Sequence, residues 1–153
     1  METIERLIGD VPFFSTLAPE HVALIAGCGS NVHFDEDEVL FREGEQADNF
    51  YLVRHGVVSV EMFVPGRTTT TIETIEAGEI IGWSWLFPPY RSHFDARALS
   101  PVRATQYDGA SLRDKCAADP SLGYDLVSRF AQVLIERLQW TRLRLLDIYG
   151  DGR

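Results

Sequence analysis

Apolar positions change their spacing twice along this chain, and these changes predict its elements. Over residues 1–30 they recur at helical spacing, with Pro19 and Glu20 placed as in a first helical turn. Residues 31–110 contain short β-branched and aromatic runs separated by glycines, which is typical of many brief strands. After Pro120 the apolar positions return to intervals of three and four. The pattern predicts short helices, then a β-rich body, then a long helix.

The clearest local prediction in the β-rich part is a hairpin. Residues 57–64 alternate between the two faces of a strand, and a second β-branched run covers residues 68–75. Between them, Pro65 fixes one backbone φ and Gly66 permits a positive φ, as a tight turn requires. Residues 96–107 form another candidate strand. Many short strands of this kind predict a β-roll.

The last helical segment is expected to cover residues 119–149. Asp119 or Ser121 is a suitable N-cap, and Gly150 follows the expected end. The apolar stripe runs from Leu122 to Ile148, which is longer than a small roll covers. A second copy of this helix would bury the remainder, so the sequence predicts a homodimer.

Composition and charge narrow the range of functions. Hydrophobic residues make up 45% and charged residues 24% of 153 residues, which predicts one globular domain over residues 1–153. A formal net charge of −9 disfavours nucleic-acid binding, because an acidic surface repels phosphates. No apolar run suits a secretion signal or a membrane span, and the two cysteines lack a metal or redox spacing. These features predict a cytoplasmic protein with free thiols.

Three segments resemble the cyclic-nucleotide-binding domain of catabolite-activator-type regulators and kinase regulatory subunits. Residues 11–20 resemble the entry helix of that family, and residues 40–58 are similar to its glycine-punctuated strands. Residues 75–82 resemble the approach to its phosphate-binding cassette. The resemblance implies a mainly β fold with flanking helices: a double-stranded β-helix (jelly-roll), short N-terminal helices and a long C-terminal helix.

The cassette expected after Gly82 departs from the family at two positions. A tight turn there would open a one-turn helix, and in the family its free N–H groups receive a cyclic phosphate. The family also places an acid after the glycine for the ribose and an arginine further on for the phosphate. Trp83 replaces the acid, and Ser92 falls at the arginine's position with Arg91 one residue early. The candidate ligand-binding residues are Gly82, Trp83, Ser84, Trp85, Leu86, Arg91, Ser92 and His93.

Three ligand states are compatible with this cassette. The site is lost or filled by an indole of Trp83 or Trp85, a different small ligand binds, such as an anion near Arg91 or His93, or a cyclic nucleotide still binds. Filling by an indole is favoured, because a phosphate without its arginine loses hydration for poor compensation. No cofactor is certain, and the candidate ligands are a cyclic nucleotide or another small anion.

The sequence therefore predicts a non-catalytic sensor domain with altered or degenerate ligand specificity, a homodimer with a protein partner and no nucleic-acid or membrane binding. One alternative is a cupin-like metal-dependent enzyme on a similar roll, although the histidines lack a paired ligand spacing: His21, His33, His55 and His93. The other alternative is a transcription regulator that acts with a separate DNA-binding partner. Activators of the family continue into a helix-turn-helix, whereas this sequence ends at residues 150–153.

Overall fold

The structure is a computed structural model that describes residues 11–15, 17–63, 65–66 and 69–151, with the backbone alone for residues 148–151. The expected helical face of residues 4–8 lies outside these ranges. A 3₁₀ turn at Pro12–Phe14 precedes helix α1 at Pro19–Ala26. The strands are β1 Gly29–Phe34, β2 Val39–Phe41, β3 Asn49–His55, β4 Val58–Met62, β5 Thr70–Ile75, β6 Ile80–Ile81, β7 Asp95–Ala98 and β8 Val102–Asp108. Helices α2, Gly109–Ala118, and α3, Pro120–Asp151, follow the last strand.

The strands form two antiparallel sheets, ordered β1-β8-β3-β6 and β2-β7-β4-β5. This arrangement confirms the mainly β fold with a long C-terminal helix. The predicted hairpin is also confirmed, because β4 pairs with β5 from Val58 opposite Ile75 to Met62 opposite Thr70. Gly66 has a φ of 83° in the connecting turn. That positive φ is the conformation that a glycine adopts without steric cost.

Strand β3 separates two parts of the core. Its side chains alternate, so that Tyr51 and Val53 join a cluster with residues of β4, β7 and β8. Phe50 and Leu52 join a second cluster with the helices. In that cluster the Phe50 ring stacks on Trp85 at 5.0 Å and meets Phe130 of α3 edge-on at 5.3 Å. The first half of α3 is therefore part of the folded core.

The helix ends agree in part with expectation. Helix α1 begins at Pro19 as predicted, but Gly27 at its end has a φ of −64° and is right-handed. The glycines at positions 27 and 29 predict a left-handed cap here, and this prediction is wrong, because the chain enters β1 with Gly27 in the right-handed conformation. At α3, the Asp119 carboxylate accepts hydrogen bonds from the backbone N–H groups of Ser121 and Leu122, at 3.2 and 3.4 Å. Asp119 is thus the N-cap.

The segment expected as one strand over residues 96–107 is two strands, β7 and β8. The break lies at Ser100 and Pro101, since proline has no N–H to offer a sheet. The Ser100 hydroxyl oxygen accepts a hydrogen bond from the Val57 N–H at 3.1 Å, which fixes the turn against the roll.

In the part of the chain that the structure describes, no helix has both the length and the apolar character to cross a membrane.

Candidate functional site

The cassette lies between β6 and β7 and begins at Gly82. This glycine has a φ of 96°, and a Cβ there would lie 3.4 Å from the Asn49 carbonyl oxygen, so a side chain is strained at this position. The Leu86 N–H donates to the Trp83 carbonyl at 3.1 Å, which closes a single turn. The expected one-turn helix is replaced by this turn, because Pro88 and Pro89 follow without N–H donors.

The two tryptophans of the cassette have different environments. Trp85 is fully buried beside Phe50 and Phe130 in the helix-facing core. Trp83 is half-buried, and its ring lies 5.1 Å from that of Phe94. The guanidinium of Arg137 from α3 lies 5.7 Å from the Trp83 ring. Trp83 therefore connects the interior of the roll to the C-terminal helix.

Arg137 is a site residue that was not among the sequence candidates. Its side chain is 14% exposed and donates to the Ile80 carbonyl, immediately before the cassette. Its Nε lies 3.7 Å from Glu73 Oε1. Burial lowers the pKa of Arg137, and the nearby charge of Glu73 opposes that shift. The one sequence signal for this role is that Arg137 lies within the long apolar stripe of α3. Its contact with Ile80 depends on how α3 packs, which the local pattern does not specify.

The three polar candidates at the end of the cassette point in different directions. Arg91 is exposed, and its Nη1 donates outward to the Gly44 carbonyl at 3.0 Å. Ser92 is buried against the loop before β3. His93 is exposed, with its Nδ1 3.1 Å from Ser84 Oγ. In this structure the Arg91 guanidinium is therefore held by the Gly44 carbonyl.

A cavity of about 100 Å³, the cassette cavity, lies between the cassette and the loop that precedes β3. It is smaller than the roughly 300 Å³ at which small-molecule pockets usually begin. Of the predicted site residues, Gly82, Ser84 and Ser92 line it, whereas the other five do not. Its lining consists of Leu40, Phe41, Glu45, Gln46, Ala47, Asp48, Asn49, Tyr51, Gly82, Ser84, Ser92 and Phe94.

The lining of the cassette cavity carries negative charge. Glu45 and Asp48 line it, and none of the described lining residues is a lysine, arginine or histidine. Burial, and then the negative charge of Glu45, raise the pKa of the Tyr51 hydroxyl. Sequence reasoning missed these acids because they belong to a loop distant from the cassette.

Three arginines of α3 donate hydrogen bonds to backbone carbonyls of other elements. Arg129 donates to the Ser15 carbonyl at 2.9 Å, and Arg137 to the Ile80 carbonyl. Arg144 donates to the Ile72 carbonyl of β5. Of the three contacts, the one made by Arg137 reaches β6, the strand directly before the cassette, and so links α3 to the cassette.

The histidines do not assemble a metal site in the described residues. No group of three or more histidine, cysteine, aspartate or glutamate side chains there is placed to hold a metal ion. His21 instead lies between two acids, with Nδ1 3.0 Å from Asp125 Oδ2 and Nε2 3.7 Å from Asp119 Oδ2. These contacts join α1 to the start of α3, which is a structural role.

Residues 31–119 match the family described as the cyclic nucleotide-binding domain. A curated relative, the CRP-like cAMP-activated global transcriptional regulator of Mycobacterium tuberculosis, is 23% identical over 145 residues. The matched region covers 95% of this chain and 63% of that protein, so the chain spans less than two thirds of this relative's length.

Solved structures agree with this match. A protein of Geobacter metallireducens GS-15 named for cyclic nucleotide binding has a TM-score of 0.80 and 33% identity, over 90% of this chain and 99% of the other. The regulatory subunit of a cAMP-independent protein kinase A from Trypanosoma brucei, a mutant bound to cAMP, has a TM-score of 0.76 and 17% identity. That alignment covers 94% of this chain and 50% of the subunit.

Proposed function

Because this chain belongs to the cyclic nucleotide-binding domain family, we propose that it is a non-catalytic regulatory domain with weakened affinity for cyclic nucleotides. It acts in the cytoplasm as a homodimer joined through α3 and passes a change at the cassette to a protein partner. The observation that carries the proposal is the cassette itself. Trp83 stands where the family places the ribose acid, and Ser92 stands where it places the phosphate arginine.

The size of the effect follows from the two contacts that this cassette lacks. A hydrogen bond to a charged group contributes about 1.5–3 kcal/mol, so two of them contribute roughly 3–6 kcal/mol. Since 1.4 kcal/mol is a factor of ten, the loss is about a hundredfold to ten-thousandfold in affinity. The carboxylates of Glu45 and Asp48 add repulsion, and the Trp83 indole beside Phe94 occupies interior space.

Exposed apolar side chains on the second half of α3 support the dimer. Leu138 is 50% and Leu145 is 46% exposed, and they lie one heptad apart on the same face of the helix. Ile135 and Leu146 are more exposed still. A second copy of α3 has the matching apolar surface. The contact of Arg137 with Ile80 and Trp83 would connect this interface to the cassette.

Calorimetric titration with cAMP and cGMP tests the ligand part of the proposal. The native protein is expected to bind both nucleotides with dissociation constants above about 100 µM, which is a hundredfold weaker than a dissociation constant of about 1 µM. A double variant, Trp83→Glu with Ser92→Arg, restores both charged contacts and is expected to gain at least a hundredfold in affinity. The matched control, Trp83→Gln with Ser92→Met, introduces side chains of similar size without the charges and is expected to gain little. A native dissociation constant at or below about 1 µM would overturn the proposal.

A further inference from the structure

A groove of about 990 Å³ lies on the first sheet, where β1 and β3 end and β8 begins, and we call it the outer groove. Its described lining residues include four basic side chains and one carboxylate, that of Asp35. On a chain with a formal net charge of −9, this is a local excess of positive charge. The outer groove and the cassette cavity share no described lining residue, so they are separate cavities. The basic residues are His33, Arg54, His55 and Arg103.

The strand register places three of these basic residues in one row. Arg103 of β8 is paired with His33 of β1 on one side and with His55 of β3 on the other. Paired residues share a face of the sheet, and neighbouring strands are about 4.8 Å apart. All three side chains are exposed, and within the described ranges none of them makes a hydrogen bond or an ion pair. Their donor groups are therefore available to a ligand.

A buried hydroxyl next to this row has no hydrogen-bond partner. Thr105 Oγ1 is fully buried, and no described group pairs with it. Thr105 follows Arg103 by two residues, so both side chains face the same side of β8. The two residues paired with Thr105, Asn31 and Leu52, both line the outer groove. Buried hydroxyls are almost always hydrogen-bonded, so an unpartnered one on the floor of a groove indicates a ligand that supplies the partner.

Arg54 connects this hydroxyl to a second one. Its Nη1 donates to Asn31 Oδ1 at 3.1 Å, which places the guanidinium beside the residue paired with Thr105. The Tyr107 hydroxyl is also buried without a described partner. Burial raises the pKa of Tyr107, and the positive charge of Arg54 opposes that shift. The Tyr107 hydroxyl is therefore neutral and able to donate, within range of the same positive charge.

The outer groove combines guanidinium and imidazole groups with buried hydroxyls, which are donors that bind phosphate oxygens. We infer that it binds a small molecule with two or more linked phosphate groups, held mainly by Arg54 and Arg103. A polyvalent ligand fits because the basic groups are spread over three strands. A small ligand fits because the volume lies within the range of small-molecule pockets, about 300–1,000 Å³, and because the net charge of −9 repels a nucleic acid. The inference goes beyond the proposed function, since it makes no use of the cassette.

Calorimetric titration of the full chain with sodium pyrophosphate tests the inference, at about pH 6, where an ordinary histidine is mostly protonated. Pyrophosphate is expected to bind saturably with a dissociation constant below about 1 mM and to raise the thermal midpoint. Sodium chloride at equal ionic strength is expected to do neither. Arg103→Gln is expected to weaken binding at least tenfold, because it removes charge-assisted hydrogen bonds. The matched control, Arg42→Gln, removes an exposed arginine outside the described lining and is expected to leave binding unchanged.

Two further variants test the rest of the site. His33→Gln combined with His55→Gln is expected to weaken binding at least tenfold, because both charged neighbours of Arg103 are lost. Thr105→Val removes the buried hydroxyl with little change in volume. It is expected to weaken binding of pyrophosphate without lowering the thermal midpoint of the unliganded protein, because that hydroxyl has no partner to lose. Circular dichroism establishes that each variant folds.

Three outcomes would overturn the inference: no saturable binding of pyrophosphate, equal stabilisation by chloride, or equal affinities in Arg103→Gln and Arg42→Gln. A parallel titration with cAMP separates this failure from that of the proposed function. A protein that binds neither ligand contradicts the phosphate site and leaves the proposed loss of nucleotide affinity intact. A protein that binds cAMP at or below about 1 µM and also binds pyrophosphate in the outer groove contradicts the proposed function alone.

Discussion

Glu61 and Arg97 form a hydrogen-bonded ion pair on the outer face of the roll. Arg97 Nη2 donates to Glu61 Oε2 at 2.7 Å and Arg97 Nε donates to Glu61 Oε1 at 3.2 Å, while Arg97 Nη1 donates to Asp37 Oδ1 at 2.7 Å. The Glu61 side chain is only 7% exposed. These hydrogen bonds lower the pKa of Glu61, and burial opposes them with a smaller effect. The pair stabilises the fold as long as Glu61 is ionised.

This pair makes part of the stability dependent on pH. The unfolded pKa of glutamate is about 4.3, and the folded value lies lower, so the stabilisation is complete above the unfolded value. It is lost as the pH falls through the folded pKa. Glu61→Gln is expected to lower the free energy of unfolding by about 2 kcal/mol at pH 7 and by progressively less as the pH falls below the unfolded value. Urea denaturation across this range measures the difference.

The matched control for this prediction is Glu36→Gln, because Glu36 is exposed in the turn that also holds Asp37. It is expected to leave the free energy of unfolding almost unchanged at every pH. A Glu61→Gln protein whose loss of stability does not shrink as the pH is lowered from 7 to well below about 4 would contradict the role given to the ionised pair.

The residues around the cassette differ in how well the sequence alone predicts their positions. The order of residues along the chain predicts that Gly82 and Ser92 belong to the site, and both line the cassette cavity. The outward direction of Arg91 depends on a carbonyl 47 residues away. The position of Arg137 depends on a contact across 57 residues. Contacts of this range are decided by packing, so local pattern alone does not specify them.

At the scale of elements, α2 is the support of the cassette. Gly109 lies so close to the Trp85 ring that a Cβ would be 2.8 Å from Trp85 Cβ and Cγ. Arg113 donates to the Trp85 carbonyl at 2.5 Å, and its guanidinium lies 4.1 Å from the Tyr90 ring centre. The sequence pattern did not reveal α2, because its buried residues are Gly109 and Leu112 rather than a wide apolar stripe. The strong periodicity of α3, by contrast, predicted that helix to within about two residues at each end.

Gly109→Ala is expected to destabilise the protein because its methyl group has no space beside Trp85. Overpacking of a core costs about 1–3 kcal/mol, and the thermal midpoint should fall by several degrees. The control is Gly27→Ala, whose Cβ would meet backbone oxygens at an ordinary 3.5 Å and whose φ is −64°. This control is expected to be neutral or slightly stabilising. Equal thermal midpoints for the two variants would show that α2 does not pack against Trp85 as described.

At the scale of the whole molecule, the apolar side chains of α3 are buried in its first half and mostly exposed in its second half. Leu122, Leu126 and Phe130 are buried against the roll. From Ile135 onward the large apolar side chains are mostly exposed, including Trp140 at 67%. The arginine contacts keep this second half beside β5 and β6 while its other faces stay open. A surface of this kind on one long helix is a suitable seam for two copies.

The dimer is tested by changing the exposed face of α3 without changing its core face. Light scattering of the native protein is expected to give a mass about twice the chain mass of 17.3 kDa. Leu138→Glu combined with Leu145→Glu places negative charges on both copies of α3 in the seam. These charges have no positive partners there and repel one another, so the double variant is expected to be a monomer. Phe63→Glu alters a side chain that is 61% exposed outside α3 and is expected to leave the dimer intact. A native mass of one chain at micromolar concentration, or a double variant that remains dimeric, would show that α3 is not the seam.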